Sequence, residues 1–426
     1  MAASLAAPCS VSAAEKTTLT FWHAMGGTNG EVLQQIVDDF NASQDEIEIK
    51  AEYQGTYDDT ITKLKAAMQS DSGLPDVCQM YDVGTKFMYD SGAVIPLEDK
   101  FESTGYDKSS VMEVISSYYT VDGKQYAMPF NVSTPMLYYN KDVFEAAGLD
   151  PETPPTTYDE VLEDAKKIVE SGAAPVGYSQ AIYGWFFEQQ LAGLGVTYGN
   201  NDNGRKEAVT AVDFDSNGGG LKVFDMWKKL YDSGYFEDYG TTTADTQTAF
   251  FSGQVGMIIE STAILKNAVD SSPFEVGTGY LPRIEQNDEG GVIIGGGSLW
   301  LTDTGNEANE DAAWKFIEYI TTPDVQAKWS MGTGYFAINE KAYETEDMKA
   351  YLKENPNFET AINQLKDSPV NCNTAGVLSG VQTEARLTFN EIMPQVYDGK
   401  LTTQDAVDQL AASVNKAIEN YNESIK

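Results

Sequence analysis

The sequence predicts an α/β protein of two lobes, each a mostly parallel sheet flanked by helices, with short strand crossings joining the lobes. Three observations carry that expectation. At 426 residues the chain exceeds what one ordinary core can serve. From Thr17 to Met80 it alternates β-type runs with segments of helical spacing, the pattern of a sheet covered by helices. No internal repeat or low-complexity linker divides the chain, but prolines bracket a polar stretch at 129–135, which suits a stiff passage between lobes.

Order is expected from Thr17. Leu19, Phe21 and Trp22 form a first strand, and the glycine-rich 26–30 turn opens a helix on which Val32, Leu33, Ile36, Val37 and Phe40 recur. Ile47, Ile49 and Ala51 alternate as a second strand, 58–70 is helical again, and 74–80 reads as a third, buried strand. After the proline-bracketed crossing, 137–141 is a buried strand leading into a helix that Gly148 stops. The spacing predicts helices over 157–171, started by Thr156/Thr157 with acids in the first turn, and over 220–233. Strands are expected at 253–261, 276–282 and 292–301. From Ala308 onward the pattern is helical, broken at 332–335 and around Cys372.

Composition removes several function classes. Against 65 acidic residues there are 28 basic ones, a net charge of −37, which argues against nucleic acid or an anionic membrane as partner. No stretch reaches the roughly 18–20 apolar residues of a membrane helix. The Ala- and Ser-rich N-terminus resembles the end of a secretory signal, with small residues at 11–13 for cleavage; residues 1–16 are expected to be a tail. Cys9 is the alternative, a lipid-attachment site. Three cysteines are too few for a disulfide framework, although a Cys78–Cys372 bridge stays open.

Catalytic chemistry is thin. His23 is the sole histidine, and no nucleophile elbow, phosphate loop or zinc motif occurs. The 213–218 stretch opens like a calcium loop, but Phe224 stands where the bidentate glutamate belongs, so an Asn-Gly turn is the better account. Neither metal nor cofactor is expected. A carboxylate pair for sugar hydrolysis is available among so many acids, yet nothing singles one out.

Small-molecule recognition has better support. Tyr57 begins a helix, Asp82 follows the buried third strand, and Ser133 lies in the crossing. Trp185 sits in an aromatic cluster, Ser261 ends a strand, and Gly296 lies in a Gly-Gly-Gly-Ser run where a backbone can be approached closely. Tyr335 lies in a Gly-Thr-Gly-Tyr turn. Each of these also has an ordinary structural use. Arg386 is a scarce cation with the fork geometry that grips phosphate or carboxylate; its alternative is an exposed pair with Glu384 or Glu391.

Together, Phe21-Trp22-His23-Ala24-Met25, Tyr81-Asp82-Val83-Gly84-Thr85, the 129–135 crossing, Leu137-Tyr138-Tyr139-Asn140-Lys141, the 293–300 glycine strand and Gly332-Thr333-Gly334-Tyr335 resemble the solute-binding proteins of ATP-binding-cassette importers. The resemblance is to the carbohydrate-type, maltose-binding-protein-like group, and within it most to the glycerol-3-phosphate binders. It implies a type II periplasmic-binding-protein fold with crossings near 129, 270 and 330. Lobe 1 would hold 17–128 and 271–328, and lobe 2 would hold 129–270 and 329–426. The resemblance also implies an extracytoplasmic, non-enzymatic monomer that hands a phosphorylated polyol or a sugar to membrane permease subunits. The family's ligand contacts fall on Tyr57, Asp82, Ser133, Trp185, Ser261, Gly296, Tyr335 and Arg386. Two positions depart from the pattern. Asp82 is one methylene shorter than the usual glutamate, and Ile182 replaces a second tryptophan, leaving room for a larger headgroup such as that of glycerophosphocholine near Tyr183. A neutral oligosaccharide stacked on Trp185 and Tyr183 is the competing expectation.

Overall fold

The structure is a computed structural model that describes residues 16–70 and 73–425. The expectations for residues 1–15 of the N-terminal tail and for Cys9 lie outside the described residues, whereas Lys16, expected in the tail, donates its Nζ to the Asn41 and Gln44 carbonyls at 3.0 and 2.9 Å. β1 (Thr17–His23) pairs in parallel with β2 (Ile47–Tyr53) along its whole length and with β3 (Val77–Tyr81). Two helices make the crossovers, and each forms for a visible reason. Gly27–Ser43 buries the predicted Leu33, Ile36, Val37 and Phe40. Tyr57–Met68 starts at a capping box in which Thr56 and Asp59 satisfy each other's backbone N–H.

A short hairpin of β4 (Thr120–Val121) and β5 (Lys124–Gln125) precedes β6 (Met128–Ser133) and β7 (Pro135–Asn140). Every residue of β6 and β7 is buried, and the single residue Thr134 separates them. They nevertheless belong to different sheets. The first sheet runs β2-β1-β3-β11-β6. The second runs β10-β7-β9-β8, from β8 (Val176–Ser179), β9 (Val255–Ser261) and β10 (Val276–Gly279); β11 is Gly295–Leu301. Thr134 is therefore the crossing, and its carbonyl accepts the N–H of Thr262 at 2.8 Å.

The expected α/β class holds, with one refinement of strand direction. β11 is antiparallel to both β3 and β6, and β7 is antiparallel to both β10 and β9. Each sheet thus carries one reversed strand, and in both cases it is the strand that enters directly from the other lobe. Only a helical crossover within a lobe obliges the next strand to run parallel. The expected partition needs correction at 271–328 and at the start of 329–426, where the Phe336 N–H donates to the Val132 carbonyl at 2.9 Å and Asn339 bridges Val111, both in the first lobe. β10 pairs with β7 from Val276–Asn140 to Gly279–Leu137, so the chain stays with the second sheet until after Gly279 and reaches the first only at β11. The strands expected over 276–282 and 292–301 are accordingly shorter, at Val276–Gly279 and Gly295–Leu301.

Cys78 is buried in β3 and Cys372 is partly exposed; both are free thiols. Among the described residues no helix is long and apolar enough to cross a membrane.

Candidate ligand site between the lobes

The site is built where the Gly184–Gly193 helix crosses the Gln382–Tyr397 helix. Gly184 makes the crossing close: a Cβ there would lie 2.5 Å from the Cα of Arg386. One turn later, on the same face, comes Glu188. The opposing helix presents Gln382, Arg386 and Asn390 at the matching four-residue spacing. Asn390 Oδ1 accepts the Gly184 N–H at 2.9 Å, and Gln382 Nε2 donates to Glu188 Oε1 at 3.0 Å. Arg386 forks onto Glu188, with Nε to Oε1 at 2.8 Å and Nη2 to Oε2 at 2.7 Å.

The same Nη2 donates to Asp82 Oδ2 at 2.8 Å. Asp82 comes from the turn after β3, so this ion pair ties the first lobe to the second. Arg386, Glu188 and Asp82 are 8 %, 6 % and 4 % exposed, too little for water to screen the pairs well. Burial pushes the Glu188 carboxyl up, with Arg386 opposing it. Burial also works against the Arg386 charge, but Asp82 and Glu188 outweigh it and hold the guanidinium well above its usual range. Nη1 makes no hydrogen bond among the described residues.

A hydroxyl and amide cluster adjoins this triad. Gln79 Nε2 donates to Asn131 Oδ1 and Asn131 Nδ2 to Tyr57 Oη, each at 2.6 Å. Tyr335, stacked on Trp329 at 5.6 Å between centroids, stands beside both Asn131 and Tyr57. Tyr57 stacks on Tyr81 at 5.1 Å, and the Tyr81 hydroxyl reaches Thr383 across the lobes at 2.7 Å. Tyr183 lies within the fields of Arg386, Asp82, Glu188 and Glu260 together, and burial pushes its phenol up to about 12.

Of the eight residues singled out in the sequence, Tyr57, Asp82, Tyr335 and Arg386 come together here. Arg386 uses neither Glu384 nor Glu391 for its ion pairs; its partners are Asp82 and Glu188. Trp185 is 5 % exposed and packs against β11, where a Cβ on Gly295 would lie 2.7 Å from its Cζ2; its Nε1 is buried without a hydrogen-bond partner among the described residues. Ser133, also buried, pairs with Gly295. At Gly296, with φ +90°, a Cβ would stand 1.8 Å from the Asn131 carbonyl, so strand β6 itself demands glycine there. Ser261 is half-buried, and its Oγ accepts the Ala263 N–H at 3.1 Å as the cap of a short turn. The glycine at 296 and the serine at 261 therefore have structural uses whatever else they touch.

Sequence reasoning missed Glu188, Tyr81, Asn131 and Gln382. A signal for Glu188 was present: it is the only charged residue between Glu170 and Asp202, and it directly follows the apolar, aromatic run Trp185-Phe186-Phe187. A lone acid in such a run is buried, and a buried acid needs a partner.

Two α/β lobes joined by strand crossings, with an arginine and hydroxyl-bearing side chains buried between them, are the architecture of a two-lobed solute-binding protein. The chain belongs to the bacterial extracellular solute-binding protein family, whose model matches residues 35–360. It is 30% identical over 417 residues to the sn-glycerol-3-phosphate-binding periplasmic protein UgpB of Escherichia coli strain K12, covering 96% of this chain and 94% of that one. Among solved structures it is similar to the cyclic alpha-maltosyl-1,6-maltose binding protein of Arthrobacter globiformis, with TM-score 0.78, 26% identity, and 95% and 100% of the two chains covered. The fold also matches UgpB from Mycobacterium tuberculosis in complex with glycerophosphocholine, with TM-score 0.81, 20% identity, and 96% and 100% covered. The protein is thus an extracytoplasmic solute-binding component of an ABC importer, in a group that serves sugars and glycerophosphate compounds.

Proposed function

We propose that this protein captures glycerol 3-phosphate or a glycerophosphodiester such as glycerophosphocholine between its lobes and delivers it, as a monomer, to membrane permease subunits. The observation that carries the proposal is the buried Arg386, which joins the lobes and keeps Nη1 without a protein partner among the described residues. A guanidinium edge inside a cleft recognises phosphate oxygens. Asp82 and the Tyr57–Asn131–Tyr335 cluster supply acceptors and donors for glycerol hydroxyls, and Ser133, Trp185, Ser261 and Gly296 belong to the proposed contact set. The 30% identity to a glycerol-3-phosphate binder over nearly the whole chain supports the same cargo. Ligand drives closure because only the closed form makes contacts from both lobes at once. Surface attachment through a lipid on Cys9 is the alternative to a freely diffusing form, and mass spectrometry of the native protein separates the two.

One observation favours a second reading, a neutral oligosaccharide. Asp82 and Glu188 already compensate the Arg386 charge, so the cleft offers no net positive field. A thermal-shift panel of glycerol 3-phosphate, glycerophosphocholine, maltose and inorganic phosphate decides. Ligand at one hundred times its Kd adds about 2.7 kcal/mol of stability. A shift with a glycerophosphate compound and none with maltose supports the proposal; the reverse overturns it.

A further inference from the structure

Glu188 is the part of the site that a phosphate binder does not need. Its two oxygens occupy Nε and Nη2 of Arg386, the edge on which a phosphate would otherwise make two parallel hydrogen bonds. Asp82 shares Nη2, and Glu260, at the end of β9, is a third buried carboxylate, held by Gln247 Nε2 at 2.9 Å and the Ser261 N–H at 2.7 Å. Two carboxylates, Asp82 and Glu188, therefore stand against one guanidinium, and the partly exposed Tyr183 ring lies within their fields. A doubly charged phosphate monoester brought here would add its whole charge to a site already negative. A phosphodiester adds one negative charge, and a cationic tail on the same molecule cancels it.

Resting on the function proposed above, we infer that Glu188 sets the charge of the ligand, admitting a singly charged phosphodiester with a cationic tail and turning away a doubly charged phosphate monoester. Glu188 does so as a positioning residue. It restricts Arg386 to its Nη1 edge and lends its own negative charge to the space beside Tyr183, where an alkylammonium group meets an aromatic face. The groups that surround it are Arg386 and Gln382 from one helix, Asp82 from the first lobe, and Tyr118, Tyr183 and Tyr198.

Calorimetric titration of the full chain with glycerophosphocholine and with glycerol 3-phosphate tests this. Near pH 8 wild type is expected to prefer the diester by roughly tenfold or more, the scale of one unfavourable charge contact in a partly dry site. Glu188→Gln, checked for folding by its melting curve, is expected to close most of that gap by raising glycerol 3-phosphate affinity. Wild type titrated near pH 5.5 gives a second readout that needs no variant. A phosphate monoester loses its second charge below about pH 6 while the diester does not change. The affinity ratio should therefore move toward glycerol 3-phosphate as pH falls. If both ligands bind and neither the substitution nor the pH moves their ratio, the role of Glu188 falls and the proposed function stands. If wild type binds neither ligand, the proposed function falls and takes this inference with it.

Discussion

Arg386→Ala removes the one cation that faces Asp82 and Glu188 among the described residues, and its consequence can be worked from the geometry. Both carboxylates are less than a tenth exposed and would stay buried without a counter-charge. Removing one partner of a buried ion pair costs about 3–5 kcal/mol. For a cooperative unit the size of one lobe, that is a fall of roughly 6–20 °C in Tm. The penalty has a definite pH dependence. Burial raises the folded-state Glu188 carboxyl above its ordinary value of 4.5, and Arg386 opposes the rise, so the variant's carboxyl rises further. A carboxyl raised on folding contributes stability that is present below its unfolded value and lost as pH rises through its folded value. The deficit of the variant should therefore be larger near pH 8 than near pH 5. Melting curves of both proteins without ligand at the two pH values measure it. Adding Glu188→Gln to the variant should recover part of the loss near pH 8. Equal deficits at both pH values, or no deficit near pH 8, would refute the placement of Arg386 in a buried triad.

Three further outcomes follow from particular contacts. Gly296→Ala forces a Cβ against the Asn131 carbonyl at a positive φ and should lower the denaturant-derived stability by about 3 kcal/mol or more. Tyr81→Phe deletes the hydroxyl that meets Thr383 across the lobes; it should weaken ligand binding about fivefold, the worth of one hydrogen bond, with little change in ligand-free Tm. His23 is the sole histidine, and burial lowers its pKa to about 4, so the single imidazole signal in an NMR titration should have its midpoint there. Since the unfolded imidazole takes its proton near 6.5, the stability that neutral His23 contributes is full above that pH and declines as pH falls toward 4.

The fold was legible where local pattern and tertiary demand agree. The helix over Gly27–Ser43 buries the four apolar positions read from its spacing, and the Thr157 capping box starts the Tyr158–Ser171 helix where the acids predicted it. Strand direction was not legible, because β7 and β11 look like any buried strand and only their arrival from the other lobe reverses them. The same holds for β10, whose partner Asn140 is distant in sequence. At the site, Asp82 stood out as the acid that follows a buried strand and Arg386 as a scarce cation with a fork geometry, and the structure joins them. Glu188 and Gln382 escaped because their use depends on two helices crossing at Gly184, and the closeness of that crossing is written in neither helix alone. The glycines of β11 were read as room for a ligand, whereas the nearest atoms to all three belong to Asn131 or Trp185.

The most direct test is a crystal structure of the protein grown with glycerophosphocholine. Density for the ligand between the lobes, with its phosphate on the Nη1 edge of Arg386 and its trimethylammonium group beside Tyr183, is what the account predicts. A phosphate bound elsewhere, or a cleft that takes up maltodextrin while Arg386 stays sealed between Asp82 and Glu188, would contradict it.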